Sequence, residues 1–391
     1  MKKVLNLITA VVLILSSLTA CSGQTHTGKN TSNSNKDTNS AGKPQVDISN
    51  VSVISDFSNG FAFVQYNDDK RTYCIDKTGV QLFELENCYI YGFSKFNDKV
   101  AIIATNNPNE YILCDKNGKI YKPEDFGASR FVLDTKNHKK AFLDGYIILE
   151  RREDSYTGTK IEMSIMDSDF TTLVPFSVGL AEIINSYIMN VNGTDYYDGY
   201  LYYEDTILDL RTGKTLSDAR QVKVSAPLLS YWANGSFGSR YEHLQWGDIY
   251  NELTGEVVAR VKESDPISSI SFVGNLGLAR YHSDNGIWFN IIDQNGTAKF
   301  NPIKAEGTDL RFDGEIILVV NNFNVNNGNT VSQRLSVKSY DVQGNLLGEI
   351  VLENWSSWAG SVSLNDGVIY IYNAETKERS LYNTSLKELF S

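Results

Sequence analysis

Phe57-Ser58-Asn59-Gly60-Phe61-Ala62-Phe63-Val64, followed after a polar stretch by Cys74-Ile75-Asp76-Lys77-Thr78-Gly79, decides how this chain is read. The first phrase puts a glycine ahead of small and apolar residues, as suits an inner strand where backbones crowd. The second ends an apolar stretch on an aspartate and a turn that closes on glycine. The aspartate side chain caps such a turn and the glycine takes the positive φ that other residues resist, so the phrase joins two strands.

Working outward, the Asp phrase recurs with Asp or Asn at 76, 115, 167, 209, 251, 293, 341 and 383, at gaps of 39, 52, 42, 42, 42, 48 and 42. The glycine phrase starts 16 residues ahead at Gly60, Gly277 and Gly367, and Lys99 takes the glycine place in the second unit. Gly145 and Gly314 look equivalent, with longer loops before their aspartates. Each unit is therefore strand, loop, strand, Asp-turn, strand, with an outer strand completing it. No stretch shows a helical period of useful length. Units of about 40–45 residues with several strands each point to an all-β fold, a β-propeller of about eight blades. Seven blades is possible if a terminal unit is split to close the ring, and a β-solenoid is the third option.

Phe57 to Val64 with Ile75-Asp76-Lys77-Thr78-Gly79 resembles the WG repeat of exported bacterial proteins, as does Phe96-Asn97-Asp98-Lys99-Val100-Ala101 with Cys114-Asp115-Lys116-Asn117-Gly118. The family's Trp-Gly pair is replaced by Thr72-Tyr73 in unit one, and Trp246-Gly247 lies one residue too far from Asn251. Asp209-Leu210-Arg211-Thr212-Gly213-Lys214 and Asn251-Glu252-Leu253-Thr254-Gly255-Glu256 are similar instead to the Asp-x-x-Thr-Gly turn of quinoprotein-type propeller blades. Both resemblances imply a propeller; neither implies a function.

Residues 1–20 read as a lipoprotein signal peptide. Lys2 and Lys3 precede an apolar run from Val4 to Leu15 that is short for a membrane span, and Leu18-Thr19-Ala20-Cys21 resembles the bacterial lipobox. That resemblance implies acylation of Cys21, which would become the mature N-terminus, with enough acyl chain for stable anchoring. Residues 21–45 form a disordered linker of Ser, Thr, Asn, Gly and Lys. Its root-mean-square reach is roughly 25–30 Å. Residues 46–391 are then the propeller, held at the outer face of a cell membrane. The Asn- and Lys-rich composition hints at a Gram-positive type of envelope.

The chain carries 36 Lys and Arg against 47 Asp and Glu, a net charge of −11. The leader holds two of the lysines and no acid, so its loss makes the rest more acidic. That argues against nucleic acid as a partner and against docking of the folded part on anionic lipid. Catalytic signals are poor. The histidines His26, His138, His243 and His282 lie far apart, and no metalloprotease, nucleophile-elbow or phosphate-loop motif is present. The Asp-turns lack the further carboxylates of a calcium site, so no catalytic residue, cofactor or metal is assigned. Cys74, Cys88 and Cys114 fit no zinc spacing and read as small buried residues in strands. Their odd number leaves at least one thiol unpaired or joined to another chain.

Two aromatic segments stand out, Tyr196 to Tyr203 and Trp355-Ser356-Ser357-Trp358. Tyr200, Tyr202, Trp355 and Trp358 are candidate binding aromatics, either a stacking platform for sugars or a patch for a protein. The competing reading is packing between sheets. The expected function is a non-catalytic binding or scaffold module for protein partners. The alternatives are a propeller that binds envelope glycan and, further off, a propeller enzyme.

Overall fold

The computed structural model describes residues 44–390 except 67–70, 91–93, 98, 108–109, 133–144, 157, 189–194, 198, 204–205, 218–221, 223–228, 233–243, 253, 262–266, 308, 327–330 and 356–359. Cys21, the leader and the linker up to residue 43 lie outside the described residues. Pro44 and Gln45, expected at the end of the disordered linker, are instead held by the fold: Gln81 N donates to the Pro44 carbonyl at 2.9 Å and Gln45 bridges to Val80.

Eight antiparallel sheets follow one another along the chain, and in seven of them the described strands pair in sequence order as a meander; in the second, Cys88–Tyr89 and Phe96–Asn97 both pair with Val100–Thr105. In blade 1 the strands are Val51–Ile54, Phe61–Tyr66, Thr72–Asp76 and Gln81–Leu85. The repeat spacing has a direct cause in the pairing of second and third strands. Phe61 pairs with Asp76, Val100 with Asp115, Tyr146 with Asp167 and Tyr200 with Asp209. The residue after the glycine, or after Lys99, therefore sits opposite the aspartate. In blade 6 the register departs from expectation. The turn glycine is Gly274, at φ +59°, and Gly277 lies inside the strand. There a Cβ would come within 2.5 Å of Ile270 on the neighbouring first strand, so glycine is required by crowding.

The sheets close into a ring. Second strands are buried on both faces, and alternate residues point to opposite neighbours. Ala101 and Ile103 pack into a core with Phe63 and Cys74 of blade 1, whereas Val100 and Ile102 pack with Phe131, Ile147 and Leu149 of blade 3. Blade 7 repeats the pattern, with Ile317 and Val319 toward blade 6 and Ile316, Leu318 and Val320 toward blade 8. Val368 and Leu381 of blade 8 then share a core with Val51, Ala62 and Val64 of blade 1. This joins the ends of the described chain, and the fold is an eight-bladed β-propeller. First strands of blades 1 and 8 border a cavity of about 160 Å³ lined by Ser55, Asp56, Ser361, Ser363 and Asn365.

Polar bonds reinforce the closure at the turns between first and second strands. Asp313 of blade 7 accepts from Gly367 N of blade 8 at 3.1 Å, and Asp366 of blade 8 accepts from Gly60 N of blade 1 at 2.6 Å. Ser58 of blade 1 donates to the Phe96 carbonyl of blade 2 at 2.5 Å. Lys77 of blade 1 also pairs with Asp366, at 3.2 Å.

Two features depart from the expected repeat. An α-helix, Val178–Ile188, links blades 3 and 4. Ser177 caps it by accepting from Leu180 N at 3.1 Å, and Leu180, Ala181 and Ile184 bury one face in the core between those blades. Blade 5 has three described strands, because most of the residues that precede its second-position strand fall outside the description.

Candidate binding face

A meander places its first and third turns at one end and its central hairpin at the other, so the propeller has a turn face and a hairpin face. The Asp-turns build the turn face, and their geometry is local. Asp115 Oδ1 accepts from Asn117 N and Lys119 N, both at 2.9 Å. Asp341 Oδ1 accepts from Gln343 N at 2.9 Å and Asn345 N at 2.8 Å, and Asn383 does the same with Ser385 N and Lys387 N. The carboxylate oxygens are thus engaged by the chain's own amides. The glycine three residues on has a positive φ and leans on the preceding blade: a Cβ on Gly118 would lie 2.7 Å from Phe83, and one on Gly344 would lie 2.8 Å from Phe300. Where glycine is absent, Phe170 and Leu386 take positive φ themselves, at 63° and 54°.

Burial alone would raise the Asp341 carboxyl, but donation from the Asn345 side chain and from backbone amides outweighs it and holds the carboxyl below its usual range. Asp293 is lowered in the same way, burial being outweighed by the amides of Thr297 and Asn295 and by Lys299. A carboxyl depressed in the folded state adds stability that is present above the unfolded value, near 3.9, and is lost as pH falls through the folded one. Acid titration is therefore expected to lower the unfolding midpoint below about pH 4, and Asp341→Asn to flatten part of that dependence. An unchanged acid limb in the variant would contradict the assignment.

The candidate aromatics fall differently from expectation. Tyr200 is only 4% exposed and lies under the Arg211 guanidinium at 4.9 Å, and the same guanidinium lies 5.8 Å from the Tyr146 ring of blade 3. Trp355 is also 4% exposed, in the core between blades 7 and 8. Neither offers a ring face to a ligand; both fill the wedge between sheets. Tyr202 pairs with Ile207 of the neighbouring strand, but its side chain lies outside the described residues, as does Trp358.

Cys74, Cys88 and Cys114 are free and share one core between blades 1 and 2. Burial pushes the Cys88 thiol up to about 11 and the Cys114 thiol up to about 12, and raises Cys74 as well. A thiol reagent at neutral pH is expected to label none of the three until the protein is denatured. Rapid labelling of the native chain would refute this core.

The hairpin face carries the features that sequence reading missed. In blade 3 the second and third strands, Tyr146–Ser155 and Gly158–Asp167, run far past their neighbours. The first strand pairs only at Leu149 and Glu150, and the fourth reaches only Met163. A two-stranded arm thus projects by roughly 15 Å. It is laced by charge: Arg151 and Lys160 both reach Glu162, at 2.7 and 3.0 Å, and Thr159 donates to Asp154 at 2.6 Å. Tyr156 at its tip is fully exposed. Blade 7 has a second arm, built from Ile316–Asn326 and Val331–Asp341, whose first-strand neighbour stops at Val320. The expected longer loops are in fact longer strands. Blades 3 and 7 are four apart in a ring of eight, so the arms stand on opposite sides of one face.

Between them lie a shallow depression of about 430 Å³ over blade 2, lined by Glu86, Asn87, Thr105, Asn107 and Glu110, and the half-exposed Trp246 of blade 5. Among the described residues no group of three or more His, Cys, Asp or Glu is placed to hold a metal.

No protein-family model matches the chain, and no curated protein does. Among solved structures, an uncharacterized protein, lmo1340, from Listeria monocytogenes EGD-e aligns over 88% of this chain and 96% of its own at 11% identity, with a TM-score of 0.32. The C-terminal WD40 domain of Sif2 aligns over 87% of this chain and 84% of its own at 12% identity, with a TM-score of 0.31. At these values the likeness carries no argument about function.

Proposed function

We propose that this protein is a non-catalytic binding or scaffold module for protein partners, held outside the cytoplasmic membrane by lipid on Cys21, and that its propeller is a degenerate form of the WG-repeat type. The observation that carries the binding reading is the pair of arms on opposite sides of the hairpin face. One of them ends in a fully exposed tyrosine on a charge-laced ribbon. An exposed aromatic on an ordered support is the kind of anchor that dominates protein interfaces, because little side-chain entropy is lost when it docks. The turn face, by contrast, spends its carboxylates and amides on its own turns.

Two measurements test the two halves of this reading. Cys21→Ala is expected to move the protein from the membrane fraction to the soluble one; full retention on the membrane would defeat the anchor. Tyr156→Ser is expected to weaken capture of the co-purifying partner about tenfold or more, the scale of a hot-spot residue. Undiminished capture would remove the arm from the interface. A glycan reading draws on Trp246, which is 41% exposed beside Trp232, whose carbonyl accepts from Gly247 N at 3.0 Å. Pull-down on envelope polysaccharide that depends on Trp246 would favour it.

A further inference from the structure

The arm of blade 7 differs in chemistry from the arm of blade 3. Its outer strand reads Asn321-Asn322-Phe323-Asn324-Val325-Asn326, with no charge and no proline. The adjoining first strand ends its pairing at Val320, and among the described residues the outer edge of 322–326 makes no backbone hydrogen bond. Native edges are normally blunted by lysine, proline, a bulge or shortness, since an open row of amides and carbonyls is a template for another strand. The edge in blade 3 carries Arg151, Arg152, Glu153 and Asp154. The edge in blade 7 has none of these protections.

We propose that this edge pairs with the same edge of a second copy of the chain, antiparallel, about a two-fold axis through Asn324. The sequence complements itself in that register alone. Asn322 stands opposite Asn326 of the second copy, Asn324 opposite Asn324, and Asn326 opposite Asn322. On the other side of the ribbon Phe323 meets Val325, and Val325 meets Phe323. Asn322, Asn324 and Asn326 are exposed and Phe323 and Val325 are partly buried, so the two sides of the arm already differ. The pairing lays amide on amide on one side and aromatic on β-branched residue on the other, both favourable cross-strand pairs. A two-fold, isologous contact needs such self-complementarity. Charge points to the same occupant. Two copies of a chain with a net charge of −11 repel one another, and a segment without charge is where they approach at least cost. The contact does not depend on the identity of any other partner.

The test uses the full-length chain in its own envelope. Directly opposed residues of antiparallel strands have Cα atoms about 4.5–5.5 Å apart, within the range a disulfide spans. The native Cys74, Cys88 and Cys114 are buried, and the parent chain controls for Cys21. Asn324→Cys is expected to run mostly as a disulfide-linked species of twice the chain mass under mild oxidation. Asn322→Cys alone should stay mainly monomeric, and co-expressed Asn322→Cys and Asn326→Cys should link to each other. Glu153→Cys on the blade 3 arm should give no dimer. A monomeric Asn324→Cys, linkage of Asn322→Cys alone to the same extent, or an adduct with a different protein would each overturn the proposal.

Discussion

Gly344→Ala is expected to cost about 2–4 kcal/mol of stability, combining the penalty of a left-handed conformation for a residue with a side chain and that of overpacking. Gly344 has φ +83°, and a Cβ there would lie 2.8 Å from the Phe300 ring. That ring lies edge-to-face against the fully buried Phe289, at 6.3 Å. The paired control is Gly60→Ala. Gly60 has φ +86° but nothing within 4 Å of its would-be Cβ, so about 1–2 kcal/mol is expected from backbone strain alone. Denaturant midpoints at constant slope measure both. Equal losses would mean that the turn glycines do not serve as contacts between blades, and the account of ring packing would need revision.

The second large effect concerns a buried charge. Glu150 is 2% exposed, and its two carboxylate oxygens receive Arg130 Nε at 2.9 Å and Nη2 at 2.7 Å in a two-point pair. Removing one partner of such a pair leaves a carboxylate with lost solvation and no counter-charge, which typically costs about 3–5 kcal/mol. Arg130 itself is well exposed, so water enters the vacated space in part, and about 3 kcal/mol is expected for Arg130→Ala. Changing both residues, as in Arg130→Met with Glu150→Met, is expected to recover much of that loss, because the uncompensated charge is gone. A double variant as unstable as the single one would show that packing rather than charge sets the cost.

What was legible in the sequence was what is local and repeated. An aspartate that accepts amides two and four residues on, with a positive-φ residue between them, is a five-residue device. It recurs, with Asn383 in the aspartate's place in blade 8, in every blade except the fourth and fifth. In the fourth, Asp209 Oδ1 accepts only from Arg211 N, at 2.9 Å, while Gly213 N turns to the Asp209 carbonyl; in the fifth, Asn251 makes a looser turn with Thr254 N at 3.4 Å. The 16-residue step follows from one strand pairing, which is why Gly60 to Asp76 and Lys99 to Asp115 share it despite different residues. Non-local properties were not legible. Tyr200 and Trp355 have the composition of a binding surface, and only the neighbouring blade decides that they are covered. The arms were hidden because extra residues between a glycine and its aspartate fit a loop as well as a ribbon. The signal was the cross-strand match of Arg151 with Glu162 and Glu153 with Lys160, which appears once a hairpin register is tried. The helix at 178–188 was hidden by its shortness, although Ser177 and the spacing of Leu180, Ala181 and Ile184 mark it. The bond from Asp313 to Gly367 exists only because neighbouring blades pack, and that from Asp366 to Gly60 only because the ring closes.

The measurement that bears most directly on the central claim is site-specific photo-crosslinking in living cells. The probe is placed in turn at Tyr156 on the hairpin face, at Asn295 on the turn face and at Val258 on the exposed last strand of blade 5. The binding-module account predicts one reproducible protein adduct from position 156 and none of that mass from 295. An adduct from 295 with none from 156, or the same pattern at all three positions, would contradict it.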